Sequence, residues 1–125
     1  MDQGLTVGEM ATKIGLSAHT LRWYEQMGLL DPVPRDSAGR RRYGQHDVDR
    51  LDLLTKMRAT GMPVRDMVRY IELVRAGDGS RPARLAMLEA HRHTVLKQID
   101  ELQRDLSVID RKIGLYRDSL PQCEI

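Results

Sequence analysis

Thr6-Val7-Gly8-Glu9-Met10-Ala11-Thr12-Lys13-Ile14-Gly15-Leu16-Ser17-Ala18-His19-Thr20-Leu21-Arg22-Trp23-Tyr24 is the stretch on which the fold turns. Thr6-x-x-Glu9 has the form of a capping box, so a helix is predicted to start at Val7. Val7, Met10, Ala11 and Ile14 recur at i, i+3, i+4 and i+7 and make one apolar stripe. Gly15 follows as a left-handed stop, Leu16 as a plug beneath the turn, and Ser17 as the N-cap of a second helix. That helix should run to about Met27 and end at Gly28. The spacing therefore predicts two short helices joined by a tight turn.

Leu21 and Tyr24 point to one side of the second helix, toward a core. His19, Arg22, Trp23 and Gln26 fall on another face at i, i+3, i+4 and i+7. Imidazole, guanidinium, indole and amide groups in that array fit base edges, phosphates and sugars. They also fit a solvated helix face with Trp23 half buried.

Outward from this unit, Pro32, Pro34 and Gly39 mark a loop or short hairpin that carries Arg35 and the run Arg40-Arg41-Arg42-Tyr43, with only Asp36 opposing. In an extended segment side chains alternate, so Arg40 and Arg42 should point one way and Arg41 and Tyr43 the other. A phenol beside arginines is a good phosphate donor. The other reading of the run is a solvated cluster of charge. A helix pair followed by a basic arm suits DNA, one helix entering a groove while the arm grips phosphates.

A third helix is predicted from Gln45 to about Thr60, with Asp47 favoured in its first turn, and a fourth from Met62-Pro63. Met67, Val68, Ile71 and Val74 give the fourth its apolar stripe, and Gly77-Asp78-Gly79-Ser80 breaks it. From Pro82 onward the pattern becomes heptadic. Leu85, Ile99, Leu106, Ile113 and Leu120 share one seam position, with Arg92 as the exception, and Leu88, Val95, Leu102, Ile109 and Tyr116 share the other. A narrow seam of that length has no cover within its own chain, so a second copy is the expected partner, paired along Leu85, Leu88, Val95, Ile99, Leu102, Leu106, Ile109 and Ile113. The direction of pairing does not follow from heptads. The expected organisation is a DNA-binding domain over 1–76, a dimerisation helix over 81–120 and a short tail over 121–125.

The whole composition fits this reading. The 125 residues carry 20 Lys plus Arg against 18 Asp plus Glu, so affinity for DNA must come from local placement of charge rather than net charge. Phenylalanine is absent and Leu, Ile, Val and Met dominate, which predicts a mainly α protein. There is no apolar run of membrane-spanning length and no apolar signal core, which predicts a cytoplasmic protein. The single Cys123 excludes an intramolecular disulfide. No paired carboxylates, nucleophile elbow, phosphate loop or metal ligand set points to an enzyme. The competing non-enzymatic reading is a coiled-coil adaptor or architectural protein without sequence readout.

The ordered set Leu21-Arg22-Trp23-Tyr24-Glu25, Gly28-Leu29-Leu30, Arg35, Gly39, Arg41, Tyr43, Asp47, Arg58 and Gly61 resembles the MerR family of bacterial transcription regulators over essentially the full chain. The resemblance implies a winged helix-turn-helix domain, with the basic arm as its first wing, followed by a long antiparallel coiled-coil dimerisation helix. It implies a homodimer on a palindromic operator, bending and untwisting a promoter whose −35 and −10 elements lie too far apart for RNA polymerase. By motif position it assigns DNA contact to His19, Arg22 and Tyr24, and in the wing to Arg35, Arg40, Arg41 and Tyr43. No cofactor is expected. Metal-responsive members carry cysteines around the long helix, whereas here that helix opens Ser80-Arg81-Pro82 and Cys123 stands alone. His91 and His93, two apart, face different sides of a helix. Drug-binding members carry a large C-terminal ligand domain, which this chain does not fit. The chain looks most like the short aldehyde- or nitrosothiol-responsive branch, but Lys56 stands where that branch has a cysteine. A Schiff base at Lys56 would require burial of its amine.

Overall fold

A computed structural model describes residues 4–120, so Cys123 and the tail over 121–125 lie outside the described residues. The protein is mainly α: α1 (Val7–Ile14), α2 (Ala18–Gln26), α3 (Gln45–Ala59), α4 (Val64–Arg75), a single 3-10 turn (Asp78–Ser80) and α5 (Arg81–Ser119). The chain divides into two compact units, Met1–Arg84 and Leu85–Ile125.

In the first unit the short helices hold their ends with side chains. Thr6 Oγ1 accepts from the Glu9 N–H at 3.1 Å, and Glu9 Oε1 accepts from the Thr6 N–H at 2.8 Å. Gly15 closes α1 with φ 82°, donating to the Ala11 carbonyl. Ser17 Oγ then caps α2 by accepting from the Thr20 N–H at 3.0 Å. The two caps fix a turn that brings α2 back across α1, and α1 also packs on α3, and α3 on α4. Pro63 stands one residue before α4 as its N-cap rather than inside its first turn.

The stripes meet in one core: Met10 from α1, Leu21 and Tyr24 from α2, Leu51 and Leu54 from α3, and Met67 and Ile71 from α4, all buried. Asp31, just after α2, ties the layers together from outside. Its Oδ1 lies 3.0 Å from Arg50 Nη1 on α3 and 3.2 Å from Arg75 Nη2 on α4. Burial pushes the Asp31 carboxyl up, but the Arg50 and Arg75 guanidinium groups outweigh it and hold it below its ordinary range.

The second unit is the greater part of α5, a 39-residue helix of about 58 Å. None of its residues is buried. Its heptad seam is open, with Leu85 58 %, Leu102 66 % and Ile109 56 % exposed, while Leu88 and Val95 are half-buried. No helix among the described residues is long and apolar enough to cross a membrane.

Candidate nucleic-acid interface

The loop after α2 folds into a hairpin rather than regular strands, with one antiparallel bridge at Arg35–Arg41 and a second joining Leu5 to Tyr43. Asp36 builds its turn. Its N–H donates to the Arg40 carbonyl at 2.8 Å, its Oδ1 accepts from the Ala38 and Arg40 N–H groups at 2.9 and 3.0 Å, and Gly39 completes the turn at φ 80°. The Arg40 N–H, with those of Ala38 and the Arg42 side chain, holds the Asp36 carboxyl below its ordinary range against the opposing effect of burial. Arg35 Nη1 bonds the Gly39 carbonyl at 2.7 Å, closing the tip.

The basic run alternates as an extended strand requires. Arg40 and Arg42 both turn to Asp36, Nε to Oδ2 at 3.3 and 3.1 Å. Arg41 and Tyr43 turn the other way to Glu25 on α2. Arg41 Nε lies 3.1 Å from Oε1, and the Tyr43 hydroxyl donates to Oε2 at 3.0 Å. One carboxylate thus rivets the wing to α2. Leu21, Tyr24 and Glu25 share one helical stripe, and an acid on a core-facing stripe is the signal by which sequence reasoning could have found this clamp.

A second attachment lies ahead of α1. Leu5 and Tyr43 exchange backbone hydrogen bonds, each 2.8 Å. Gly4 has φ +84°, and a Cβ there would stand 2.4 Å from the Tyr43 carbonyl oxygen, so only glycine lets the N-terminal strand lie this close. Nothing in the composition or periodicity of the chain announced this pairing.

On α2, His19, Arg22 and Gln26 are solvent-exposed, and Trp23 is half-buried with its ring edge-on to Tyr24 at 5.1 Å. Arg35 and Arg40 are exposed on the wing, and Arg41 is partly covered by Glu25. Two of the predicted DNA contacts have largely covered rings. Tyr24 is 4 % and Tyr43 1 % exposed, so both rings pack in the core. The Tyr43 hydroxyl is given to Glu25, while the Tyr24 hydroxyl takes no hydrogen-bond partner among the described residues. Burial, then the bond to Glu25, pushes the Tyr43 phenol far above its ordinary value. Burial also raises Tyr24, partly offset by the positive charge of Arg58 on α3. The expectation that only Asp36 opposes the arginines is corrected, since Glu25 takes Arg41. Lys56 is exposed and paired with Asp52 at 2.9 Å, so its amine is not the buried group that a Schiff base would require.

A capped helix pair, a hairpin wing fastened to the second helix and an exposed polar face between them define a winged helix-turn-helix DNA-binding protein. Residues 5–73 match the model of the MerR HTH family regulatory protein, and residues 48–112 match that of MerR, DNA binding. An uncharacterized HTH-type transcriptional regulator of Haemophilus influenzae is 39 % identical over 112 residues, covering 90 % of this chain and 83 % of its own. Among solved structures, HiNmlR, a MerR family regulator lacking the sensor domain and bound to promoter DNA, is similar with a TM-score of 0.81 at 38 % identity, covering 91 % of this chain and 90 % of that one. A putative MerR family transcriptional regulator from Listeria monocytogenes gives a TM-score of 0.84 at 32 % identity, covering 93 % of this chain and 88 % of that one. The chain belongs to the MerR family and is a DNA-binding transcription regulator.

Proposed function

We propose that the protein acts as a homodimer on an inverted-repeat promoter operator. The face of α2 reads bases, the wing holds phosphates, and the distorted duplex is presented to RNA polymerase. The observation that carries this is the Glu25 rivet. It holds the exposed His19–Arg22–Gln26 face in fixed relation to a wing whose outer cations are Arg35 and Arg40. In this reading His19, Arg22, Gln26 and the exposed edge of Trp23 touch base edges or sugar, and Arg35, Arg40 and the uncovered part of Arg41 touch backbone. Tyr43 acts from inside, by fastening the wing to α2, and the ring of Tyr24 packs in the core while its unpartnered hydroxyl stays available to a phosphate. The likeness to a promoter-bound regulator supports a promoter as the ligand. The open seam of α5 supports the dimer, because apolar surface repeated along a whole helix is stable only when covered.

The test is selection of bound duplexes from a random pool, followed by fluorescence anisotropy at several salt concentrations. Arg22→Ala should lose discrimination between selected and random duplexes, at a cost of about 1–3 kcal/mol on the selected one. Arg40→Ala should weaken both alike and lower the salt slope by about 0.9. Dimerisation with no sequence enriched from the pool would favour the adaptor reading instead.

A further inference from the structure

The seam of α5 carries one charge, and that charge restricts how two copies can pair. Arg92 sits among Leu85, Leu88, Val95 and Ile99 in the heptad register. Among the described residues neither Arg92 nor Asp110 takes part in a salt bridge, although Arg104 on the same helix pairs with Asp100 at 2.6 Å. The surrounding seam is open, with Ile99 45 %, Leu106 54 % and Ile113 40 % exposed.

Parallel in-register pairing fails on charge. It sets Arg92 against Arg92 of the second copy, and its flanking positions bring Asp105 beside Asp110 and Lys112 beside Arg117. Three like-charge contacts against one opposite-charge pair, Arg84 beside Glu89, disfavour that direction. Antiparallel pairing removes Arg92 from its own image, and it leaves a few registers one heptad apart. With Arg92 opposite Tyr116, Arg117 of the second copy falls within about 1.5 Å of the same level, so cation meets cation. With Arg92 opposite Leu102, Ile113 and Tyr116 face Arg81 and Asp78 beyond the seam and stay uncovered.

One register meets both conditions. When Leu85 faces Tyr116 and Ile99 faces Leu102, every seam residue from Leu85 to Tyr116 has an opposite number. Arg92 then faces Ile109, and Asp110 of the second copy lies at the same level to within about 1.5 Å. Glu89, one turn before Arg92, comes within about 3 Å of that level, so in the dimer the guanidinium lies between two carboxylates. Of the cations near that level, Arg111 lies on the outer face of the helix, and Lys112 stands over its own Tyr116 ring at 5.1 Å to the centroid.

We infer that Arg92 and Asp110 of two chains form a reciprocal intermolecular ion pair, made twice about the two-fold axis, that selects the register of the antiparallel α5 dimer. This rests on the homodimer reading above and adds to it the contact that selects one alignment over its neighbours. A charged residue among apolar seam positions costs stability and returns specificity of alignment.

The pair is testable because the two residues lie about 27 Å apart along one rigid helix and cannot meet within a chain. Sedimentation equilibrium of the full chain is measured for wild type, Arg92→Glu, Asp110→Arg and the double exchange. Each single reversal should weaken the dimer by about tenfold or more, and the double exchange should recover to within about threefold of wild type. A double exchange as weak as the sum of its singles overturns the pair while leaving the dimer standing. A wild-type chain that is monomeric at tens of micromolar overturns the dimer reading itself. Oxidative cross-linking in a Cys123→Ser background gives a second readout. Leu96→Cys with Gln103→Cys should form a covalent dimer, and Asp105→Cys alone should not. Ready cross-linking of Asp105→Cys would place the chains one heptad away and sink the register.

Discussion

Replacing Glu25 with alanine tests how the wing is attached. Glu25 receives two groups, the Arg41 guanidinium at 3.1 Å and the Tyr43 hydroxyl at 3.0 Å, and these groups do not lose equally when it goes. Tyr43 is 1 % exposed, so its hydroxyl would be left buried without an acceptor, a loss of about 1–3 kcal/mol. The Arg41 side chain is 30 % exposed and turns to water, so its share is held to about 0–1 kcal/mol by solvent screening. The expected loss is about 1–4 kcal/mol of unfolding free energy, read from urea melts followed by circular dichroism. Tyr43→Phe removes the hydroxyl and its need together, so in the double variant Glu25→Ala costs less than it does alone, by about 1–2 kcal/mol. Glu25→Gln keeps an acceptor for the phenol and should fall between wild type and alanine. If Glu25→Ala and wild type melt at the same urea concentration, or if the cycle with Tyr43→Phe shows no coupling, the wing is not held by this carboxylate.

Other outcomes follow from the same geometry. Gly4→Ala forces a Cβ into the Tyr43 carbonyl at a positive φ and should cost about 1–3 kcal/mol, checked by thermal melting. Asp31→Ala leaves the largely covered Arg50 side chain and Arg75 without their shared partner. Because Asp31 is 38 % exposed the loss should be modest, about 1 kcal/mol in the same melts. Stability should fall as pH rises above the ordinary tyrosine value of 10.0, because the unfolded phenol then ionises while folded Tyr43 stays neutral. Tyr43→Phe should flatten that decline only in part, since the Tyr24 phenol is raised in the same direction.

Much of the scaffold was legible because its signals are local. The Thr6–Glu9 box, the Gly15 stop and the Ser17 cap each act within four residues, and all three are present as the sequence predicts. The helix spans follow closely, with α4 starting one residue later than its proline suggested. Strand alternation alone divided Arg40 and Arg42 from Arg41 and Tyr43, because a pleated backbone leaves the side chains no other choice. The exposed face of α2 was likewise readable from spacing, since helical period decides which residues share a side.

Where those sides point is a matter of tertiary contact, and the Tyr43 phenol shows it. Tyr43 looked like a phosphate ligand because it adjoins arginines. Its hydroxyl instead meets Glu25, 18 positions away, in a partly buried bond. Asp31 reaches Arg75 across 44 positions, and Gly4 meets the Tyr43 backbone across the whole helix-turn-helix unit. Capping, periodicity and alternation are properties of neighbours along the chain, so the sequence by itself determined the elements and their faces. Burial and long-range pairing depend on which elements come together, so only the folded structure decided which charges are spent holding the wing and which remain for DNA.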